Sequence, residues 1–249
     1  CAKPCATTAG TRDPEVILAG STAERRRLLQ NYFRTVFYKD ILDRYSVKAR
    51  YVLDALLSEV LETYSETFSV SRFEKHLKQN GLPGSKRTIS NYLNFIEEAF
   101  FVIVNERFSF SPRRRLMNPK KIYLMDTGFA ALGRPTSENL GKLLENLVAI
   151  ELYRRGKDAC YFKGQNECDF IIPEGRKPDS AIQVCWEMNS RKEKREVAGL
   201  LEAFRELKLK SAVILTHSQD ETRIVDDIEI LIRPVLSTCA WPDLNSVAA

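Results

Sequence analysis

Two carboxylates in apolar surroundings are the residues best suited to support chemistry in this chain. Asp169 lies in the segment ECDFII, and a Pro/Gly turn separates it from AIQVC, so the pattern predicts two strands joined by a turn. Glu145 lies inside an apolar helical run, where a charge needs a partner or a water-filled site. Carboxylate oxygens are preferred ligands of Mg²⁺, and a bound Mg²⁺ activates water for phosphodiester hydrolysis. Glu145 and Asp169 are therefore the predicted metal ligands.

The second predicted strand decides how complete such a site is. Strand alternation places Gln183, Cys185 and Glu187 on one face. Gln183 offers a metal ion a neutral carbonyl oxygen, and Cys185 supplies no cation to orient or activate water. We predict a degenerate catalytic set made of Glu145, Asp169 and Gln183. Structural or regulatory use of this set is the favoured interpretation, and active cleavage is the alternative.

A second set of residues suits contact with nucleic acid. Lys86, Arg87, Thr88 and Asn91 begin a predicted helix directly after Ser85. Cations and short polar side chains at the start of a helix contact phosphates and base edges. These four side chains are therefore predicted to bind DNA.

Three further cations follow in a predicted turn between two strands. Arg113, Arg114 and Arg115 would reach the DNA backbone or the minor groove from there. A solvated turn is the alternative, as is a protein–protein role for the whole region. The positive charge favours DNA.

The elements that would position these cations occur in the order helix, short helix, helix and two strands. Helices are predicted at 47–64, 71–79 and 86–100, and strands at 101–108 and 121–125. This order is that of a winged helix, an elaborated helix-turn-helix.

The elements around Asp169 predict a different unit. An apolar helix is predicted at 140–155 and a second helix at 194–207. The predicted strands cover 159–163, 169–172, 181–186, 212–216 and 228–232. Helix, three strands, helix and strand give an α/β sandwich with a mixed sheet. The predicted fold class of the whole chain is α/β (α+β).

Charge is unevenly distributed among three predicted regions. Residues 1–45 form an irregular tail, to about residue 14, and a helix from Ser21, and they carry a net charge of +3. Residues 46–135, the predicted winged-helix domain, carry +5, and residues 136–249 carry −3. The basic middle region is the expected partner of phosphates.

Several classes of function are disfavoured by composition. No apolar run reaches the roughly 18 residues that span a bilayer, and no apolar leader opens the chain, so we expect a cytoplasmic protein without a membrane partner. Six cysteines without paired spacing and two histidines argue against a zinc site. His76 and His217 suit no Ser-His-Asp or Cys-His arrangement.

Several segments together resemble a known family. They are DPEV at 13–16, LLQNYFRTV at 28–36, SKRTISNYL at 85–93, KKIYLMDTG at 120–128, LLENLV at 143–148 and ECDF at 167–170. In this order they resemble the C-terminal region of archaeal and bacterial AAA-type P-loop ATPases. In that family a winged helix precedes a domain of unknown function that is similar to PD-(D/E)XK nucleases.

The resemblance implies roles for individual residues. Glu145 and Asp169 occupy the positions of metal ligands, whereas Gln183 and Cys185 stand where a nuclease of this type has an acid and a lysine. It also implies an ATPase domain, but the chain contains no Walker A or Walker B sequence. ATP would therefore act only through a domain outside this chain.

The expected function is that of a DNA-binding and regulatory region with an inactive nuclease-like domain and a restriction-endonuclease-like fold. The alternatives are a divalent-metal DNA endonuclease and a protein–protein docking scaffold. Expected partners are DNA and an AAA-type ATPase domain, in cis or in trans, with a homo-oligomer as a further option. Mg²⁺ is the only cofactor that the candidate site suggests.

Overall fold

The described part of the chain forms two compact units. A computed structural model describes residues 14–133, 140–175, 177–188 and 190–236. The first unit runs to Val104 and resumes at Pro119, and the second comprises Asn105–Asn118 and the described residues from 140 onward. The tail predicted before residue 14 lies outside the described residues, as does the predicted linker after Gly133. The predicted boundaries at 45 and 135 stay predictions.

The first unit opens with a long helical segment. Its parts are α1 (Pro14–Leu18), α2 (Thr22–Tyr32), a π-helical stretch (Phe33–Tyr38) and α3 (Lys39–Arg44). The predicted start at Ser21 is confirmed, because the Ser21 hydroxyl accepts the backbone N–H of Glu24 at 3.1 Å. Phe33 and Phe37 from this segment each pack on Phe101 with ring centroids 5.3 Å apart. Phe129 joins the same group of rings.

The remainder of the first unit has the winged-helix order of elements. These are α4 (Arg50–Thr63), β1 (Glu66–Phe68), α5 (Val70–Gln79), α6 (Lys86–Glu98), β2 (Val102–Glu106), β3 (Lys120–Leu124) and a 3-10 helix (Thr127–Leu132). The three predicted helices and two predicted strands are confirmed. The strands form a sheet in the order β1-β3-β2, with β1 antiparallel to β3. Strand β1 was not predicted, since three residues are too few for an alternating pattern.

The arginine-rich stretch between β2 and β3 is helical, so the predicted turn is wrong. Helix α7 (Pro112–Met117) begins after Ser111, whose hydroxyl accepts the backbone N–H of Arg114 at 3.5 Å. Pro112 occupies the first helical turn, where its fixed φ fits the helix and its missing N–H has no cost. The Ser-Pro pair therefore starts a helix here. This stretch belongs to the second unit.

A six-stranded mixed sheet forms the second unit, and this confirms the predicted fold class. Its elements are α8 (Leu140–Arg154), β4 (Cys160–Lys163), β5 (Glu167–Glu174), β6 (Lys177–Val184), α9 (Ser190–Leu207), β7 (Ser211–Thr216), β8 (Glu221–Val225) and β9 (Ile228–Pro234). The strand order is β4-β5-β6-β7-β9-β8. Strands β4, β5 and β6 are antiparallel, β7 is parallel to β6 and to β9, and β8 is antiparallel to β9.

Strand β8 was not predicted because its turn lacks the usual sequence signal. Asp226 and Asp227 connect β8 to β9, and both have positive φ angles, of 51° and 62°. Two-residue hairpin turns need such angles and usually contain Asn-Gly or Asp-Gly. The Asp-Asp pair adopts this conformation without glycine.

Helix α9 covers the middle of this sheet. It packs with Leu200, Leu201 and Ala203 buried against the sheet residues Ile171 and Ala181. Gly199 lies at a close approach of the helix to β5, and an added Cβ would overlap the carbonyl oxygen of Glu167. None of the helices in the described ranges combines the length and apolarity that crossing a membrane requires.

Candidate functional site

Helix α6 presents the predicted DNA-binding residues on its outer face. Ser85 caps the helix by accepting the backbone N–H of Thr88 at 3.1 Å, and the two hydroxyl oxygens are 2.9 Å apart. Lys86, Arg87 and Asn91 are exposed, and Thr88 is half-buried. Four apolar residues hold the opposite face of the helix in the core: Ile89, Tyr92, Leu93 and Ile96. The N-terminal half of α6 is therefore an accessible, positively charged surface.

The three arginines of α7 divide into two groups. Arg113 and Arg114 are exposed. Arg115 is half-buried and donates to the carbonyl oxygen of Ser109 at 3.1 Å, and its Nε lies 3.9 Å from the Glu106 carboxylate. Arg115 therefore fixes its own segment, while Arg113 and Arg114 face solvent.

Asp169 sits inside the second unit with a fixed hydrogen bond. Its residue is only 5% exposed, and its Oδ2 accepts the backbone N–H of Val184 at 2.9 Å. The bond connects neighbouring strands, since Phe170 of β5 pairs with Ile182 of β6. The carboxylate thus satisfies a backbone donor at the end of β6.

Gln183 connects Asp169 to an acid on the facing helix. Its Oε1 accepts the backbone N–H of Asp169 at 3.2 Å, and its Nε2 donates to Glu196 Oε2 at 2.6 Å. Both ends of the buried amide are therefore satisfied within the protein. An acid at position 183 would lack the N–H donor that Glu196 uses.

Glu196 and Arg195, on α9, were missed by sequence reasoning. The Glu196 side chain is 8% exposed, and its Oε1 accepts Arg195 Nη2 at 2.6 Å; the Arg195 side chain is 78% exposed. The pKa of Arg195 is raised, first by the hydrogen bond to Glu196 and then by the charge of that carboxylate, with smaller contributions from Cys185 and Asp169. Glu196 precedes Leu200 by four residues and Ala203 by seven, which places it on the buried face of α9. The sequence signal that could have identified Glu196 is an acidic residue at a helix position that faces the core.

The predicted metal ligands come from separate elements. Asp169 lies on β5, and Glu145 lies half-buried on α8 beside Asn146, which is fully buried. Within the described ranges, no three His, Cys, Asp or Glu side chains form a group that could hold a metal ion. The roles of Glu145 and Asp169 as ligands of Mg²⁺ stay predictions.

Position 185 carries a thiol and no cation. Cys185 is buried and its Sγ lies 3.2 Å from the carbonyl oxygen of Glu187. Lys163 lies on β4, where its Nζ is 3.6 Å from Glu167 Oε2. Asp169, Gln183, Glu196 and Arg195 form a hydrogen-bonded network, which we call the polar network. Its cation is Arg195 of α9, which forms an ion pair with Glu196. This arrangement neutralises a buried charge.

Glu202, also on α9, holds the turn between β4 and β5. Its carboxylate accepts the backbone N–H groups of Gln165 at 2.6 Å and Asn166 at 2.8 Å, and the Asn166 side-chain amide at 2.8 Å. Burial alone would raise the pKa of Glu202, but these hydrogen bonds and the charge of Lys163 lower it below its usual value. The ionised form therefore stabilises the turn.

We expect Glu202→Gln to lower the free energy of unfolding by about 1 kcal/mol at pH 7, because charge-assisted hydrogen bonds are stronger than neutral ones. The stabilisation by Glu202 is present above the carboxyl pKa of the unfolded chain and is lost as the pH falls through the depressed folded pKa. Urea unfolding between pH 7 and pH 3 should show the difference from the native protein shrinking with acid. Glu206→Gln, on the exposed side of α9, is the control. A difference that is constant over this range would contradict the assignment.

The two units and their sheets define an α+β protein. Comparison with known proteins places it in a family. Residues 14–138 match the family described as a domain of unknown function, DUF8612, and the chain belongs to that family. An uncharacterized protein of Methanocaldococcus jannaschii is 30% identical over 231 residues, which cover 89% of this chain and 51% of the relative. An uncharacterized protein of Haemophilus influenzae is 26% identical over 221 residues, covering 88% of this chain and 53% of the relative. The chain spans about half the length of these curated relatives.

Proposed function

We propose that this chain is the DNA-binding and regulatory region of a AAA-type ATPase family protein. The observation that carries the proposal is the exposed, positively charged start of α6, in the position of a recognition helix. Lys86, Arg87 and Asn91 are accessible there, while the apolar face of the helix is buried. A helix held in this way can enter a major groove, with cations on phosphates and Asn91 at base edges.

The nuclease-like unit has a regulatory or docking role in this proposal. Its Gln183 binds Glu196, whose other oxygen is paired with Arg195, and position 185 has no lysine. These groups are occupied with one another, which favours a structural network over a metal-binding site. The ATPase domain of the proposed parent protein is the expected partner. About half of each relative lies outside the match, which is consistent with a further domain in the parent protein.

DNA binding is tested with Lys86→Ala/Arg87→Ala. Each lost phosphate contact should reduce the slope of log K against log salt by about 0.9, so the double variant should lose nearly two units of slope. Fluorescence anisotropy with a 20-base-pair duplex at several salt concentrations measures this. The control Arg154→Ala/Lys177→Ala removes two exposed cations from the second unit and should leave the slope unchanged. Equal slopes for the native protein and the α6 variant would reject α6 as the DNA-binding helix.

Cleavage is tested separately. We expect the purified protein to leave supercoiled and linear DNA intact in Mg²⁺ or Mn²⁺, because the polar network around Asp169 offers no lysine to activate water. Gel analysis after prolonged incubation measures this, with Asp169→Ala as the comparison. Cutting by the native chain that stops in Asp169→Ala would replace the regulatory proposal with the endonuclease alternative.

A further inference from the structure

The arginine-rich platform, residues 105–118 of the second unit, exposes an unusual number of apolar side chains. Phe110 is 78% exposed, Leu116 75% and Met117 81%. Single exposed apolar residues need no explanation, but three large ones lie within eight positions here, and we call them the apolar patch. Clustered exposed apolar side chains usually mark contact surfaces.

The platform is held firmly to the sheet of its own unit. Arg107 forms an isolated parallel bridge with Tyr161, and the backbone N–H of Phe108 donates to the Tyr161 carbonyl at 2.7 Å. The Arg107 guanidinium also donates to the carbonyl of Lys163. The rings of Phe108 and Phe110 pack edge to face with centroids 5.0 Å apart. The start of the platform is therefore attached to the sheet, and the bond from Arg115 to the Ser109 carbonyl connects α7 to it.

The charges beside the patch indicate what covers it. Arg113 and Arg114 are exposed, and no carboxylate of the described residues forms an ion pair with either guanidinium. An anionic partner would supply the missing counter-charge. Helix α7 has six residues, which gives it little apolar area for lying in a membrane interface.

Guanidinium groups next to apolar side chains match one mode of binding duplex DNA. Proteins that bind the minor groove in this mode place arginines on the phosphates and in the groove, and insert apolar side chains between base steps. Insertion unstacks the step and kinks the duplex by about 20–90°. The apolar patch and the unpaired cations are both explained by a single ligand.

We propose that the platform is a DNA-distorting wedge, in which Arg113 and Arg114 bind the backbone while Leu116 and Met117 enter a base step. This inference rests on the proposed function, because it requires that the chain bind DNA. It adds a second contact, in the second unit, and a physical effect on the ligand. The kink is attributed to Leu116 and Met117, whereas the residues of α6 contribute to binding.

The test measures binding and bending separately on the full chain. A 30-base-pair duplex labelled at both ends reports bending by energy transfer, and anisotropy reports affinity. We expect the native chain to increase energy transfer, and Leu116→Ser/Met117→Ser to abolish the increase while changing affinity less than fivefold. Arg113→Ala/Arg114→Ala should reduce affinity about tenfold and lower the salt slope by nearly two units. The control Ile224→Ser/Leu236→Ser removes two exposed apolar side chains elsewhere in the same unit and should preserve bending.

The outcomes distinguish the wedge from the proposed function. Binding that depends on Lys86 and Arg87 but leaves the duplex straight overturns the wedge alone. Bending that survives Leu116→Ser/Met117→Ser does the same. If no duplex binds at low salt, the proposed function fails, and the wedge with it. Binding to vesicles containing phosphatidylserine in place of DNA, or self-association lost in Leu116→Ser/Met117→Ser, would assign the patch to a membrane or to a second copy and overturn the wedge.

Discussion

Gln183→Glu is expected to lower the free energy of unfolding by about 3–4 kcal/mol at pH 8, because it leaves two buried carboxylates in contact. In the native protein the Gln183 amide donates to Glu196 at 2.6 Å, and an introduced carboxylate has no hydrogen to donate when ionised. Arg195 already binds the other oxygen of Glu196 from an exposed position, so its cation cannot fully offset a second buried negative charge.

The loss of stability should depend on pH in a definite direction. The neighbouring negative charge raises the pKa of the introduced carboxyl group in the folded state, so stability is fully present below the unfolded pKa and is lost as the pH rises through the folded value. Urea unfolding of Gln183→Glu should therefore approach the native stability as the pH falls from 8 toward 5. Gln183→Leu is the matched control, since it removes both hydrogen bonds of the Gln183 amide without adding charge. It should be destabilised by about 2 kcal/mol with little pH dependence in this range.

A divalent ion offers a second readout of the same variant. If the introduced carboxylate, Asp169 and Glu196 converge, Mn²⁺ should raise the melting temperature of Gln183→Glu and leave Gln183→Leu unchanged. A variant that is as stable as the native protein at pH 8, with no response to acid, would show that Gln183 and Glu196 are not in contact.

Gly199→Ala is expected to destabilise the protein by about 3 kcal/mol through overpacking, although alanine normally favours a helix over glycine by about 1 kcal/mol. The added Cβ would overlap the carbonyl oxygen of Glu167, and a backbone atom cannot rotate away as a side chain can. The helix must therefore move off the sheet. Leu200 and Ala203 are buried between α9 and the sheet, and such a movement would weaken their contacts.

Thermal unfolding by circular dichroism measures this effect. A loss of 3 kcal/mol corresponds to a melting temperature lower by roughly 6–12 °C for a chain of this size. Gly20→Ala is the control, because the nearest atom to its added Cβ is the end of the Glu24 side chain at 3.9 Å. It should change stability by less than about 0.5 kcal/mol. Unchanged melting of Gly199→Ala would mean that α9 lies farther from β5 than the structure places it.

Periodicity and capping predicted most of the fold, because long elements repeat their apolar pattern several times. Ser21 and Ser85 begin their helices as predicted, and the mixed sheet follows from the order of its elements. The misses are short or locally controlled. Helix α7 depends on the capping residue Ser111 and on Pro112, and β8 depends on a turn at Asp226 and Asp227 without glycine.

The candidate site was predicted less completely for a different reason. Asp169 and Gln183 lie fourteen residues apart on adjacent strands, so alternation and the hairpin bring them together in a predictable way. Glu196 comes from a helix that crosses the sheet, and its partner depends on how that helix packs. Helical spacing indicates that Glu196 faces inward, but it does not indicate which buried group it meets.

The ring group of Phe33, Phe37, Phe101 and Phe129 has a practical consequence for dissecting this chain. Two of its four members come from the helical segment before residue 46, so that segment supplies half of one aromatic core. A shortened version beginning at α4 would leave the faces of Phe101 and Phe129 bare to water. Such a fragment should aggregate and be poorly soluble. Shortened versions of this chain should therefore retain the helical segment from α1 to α3.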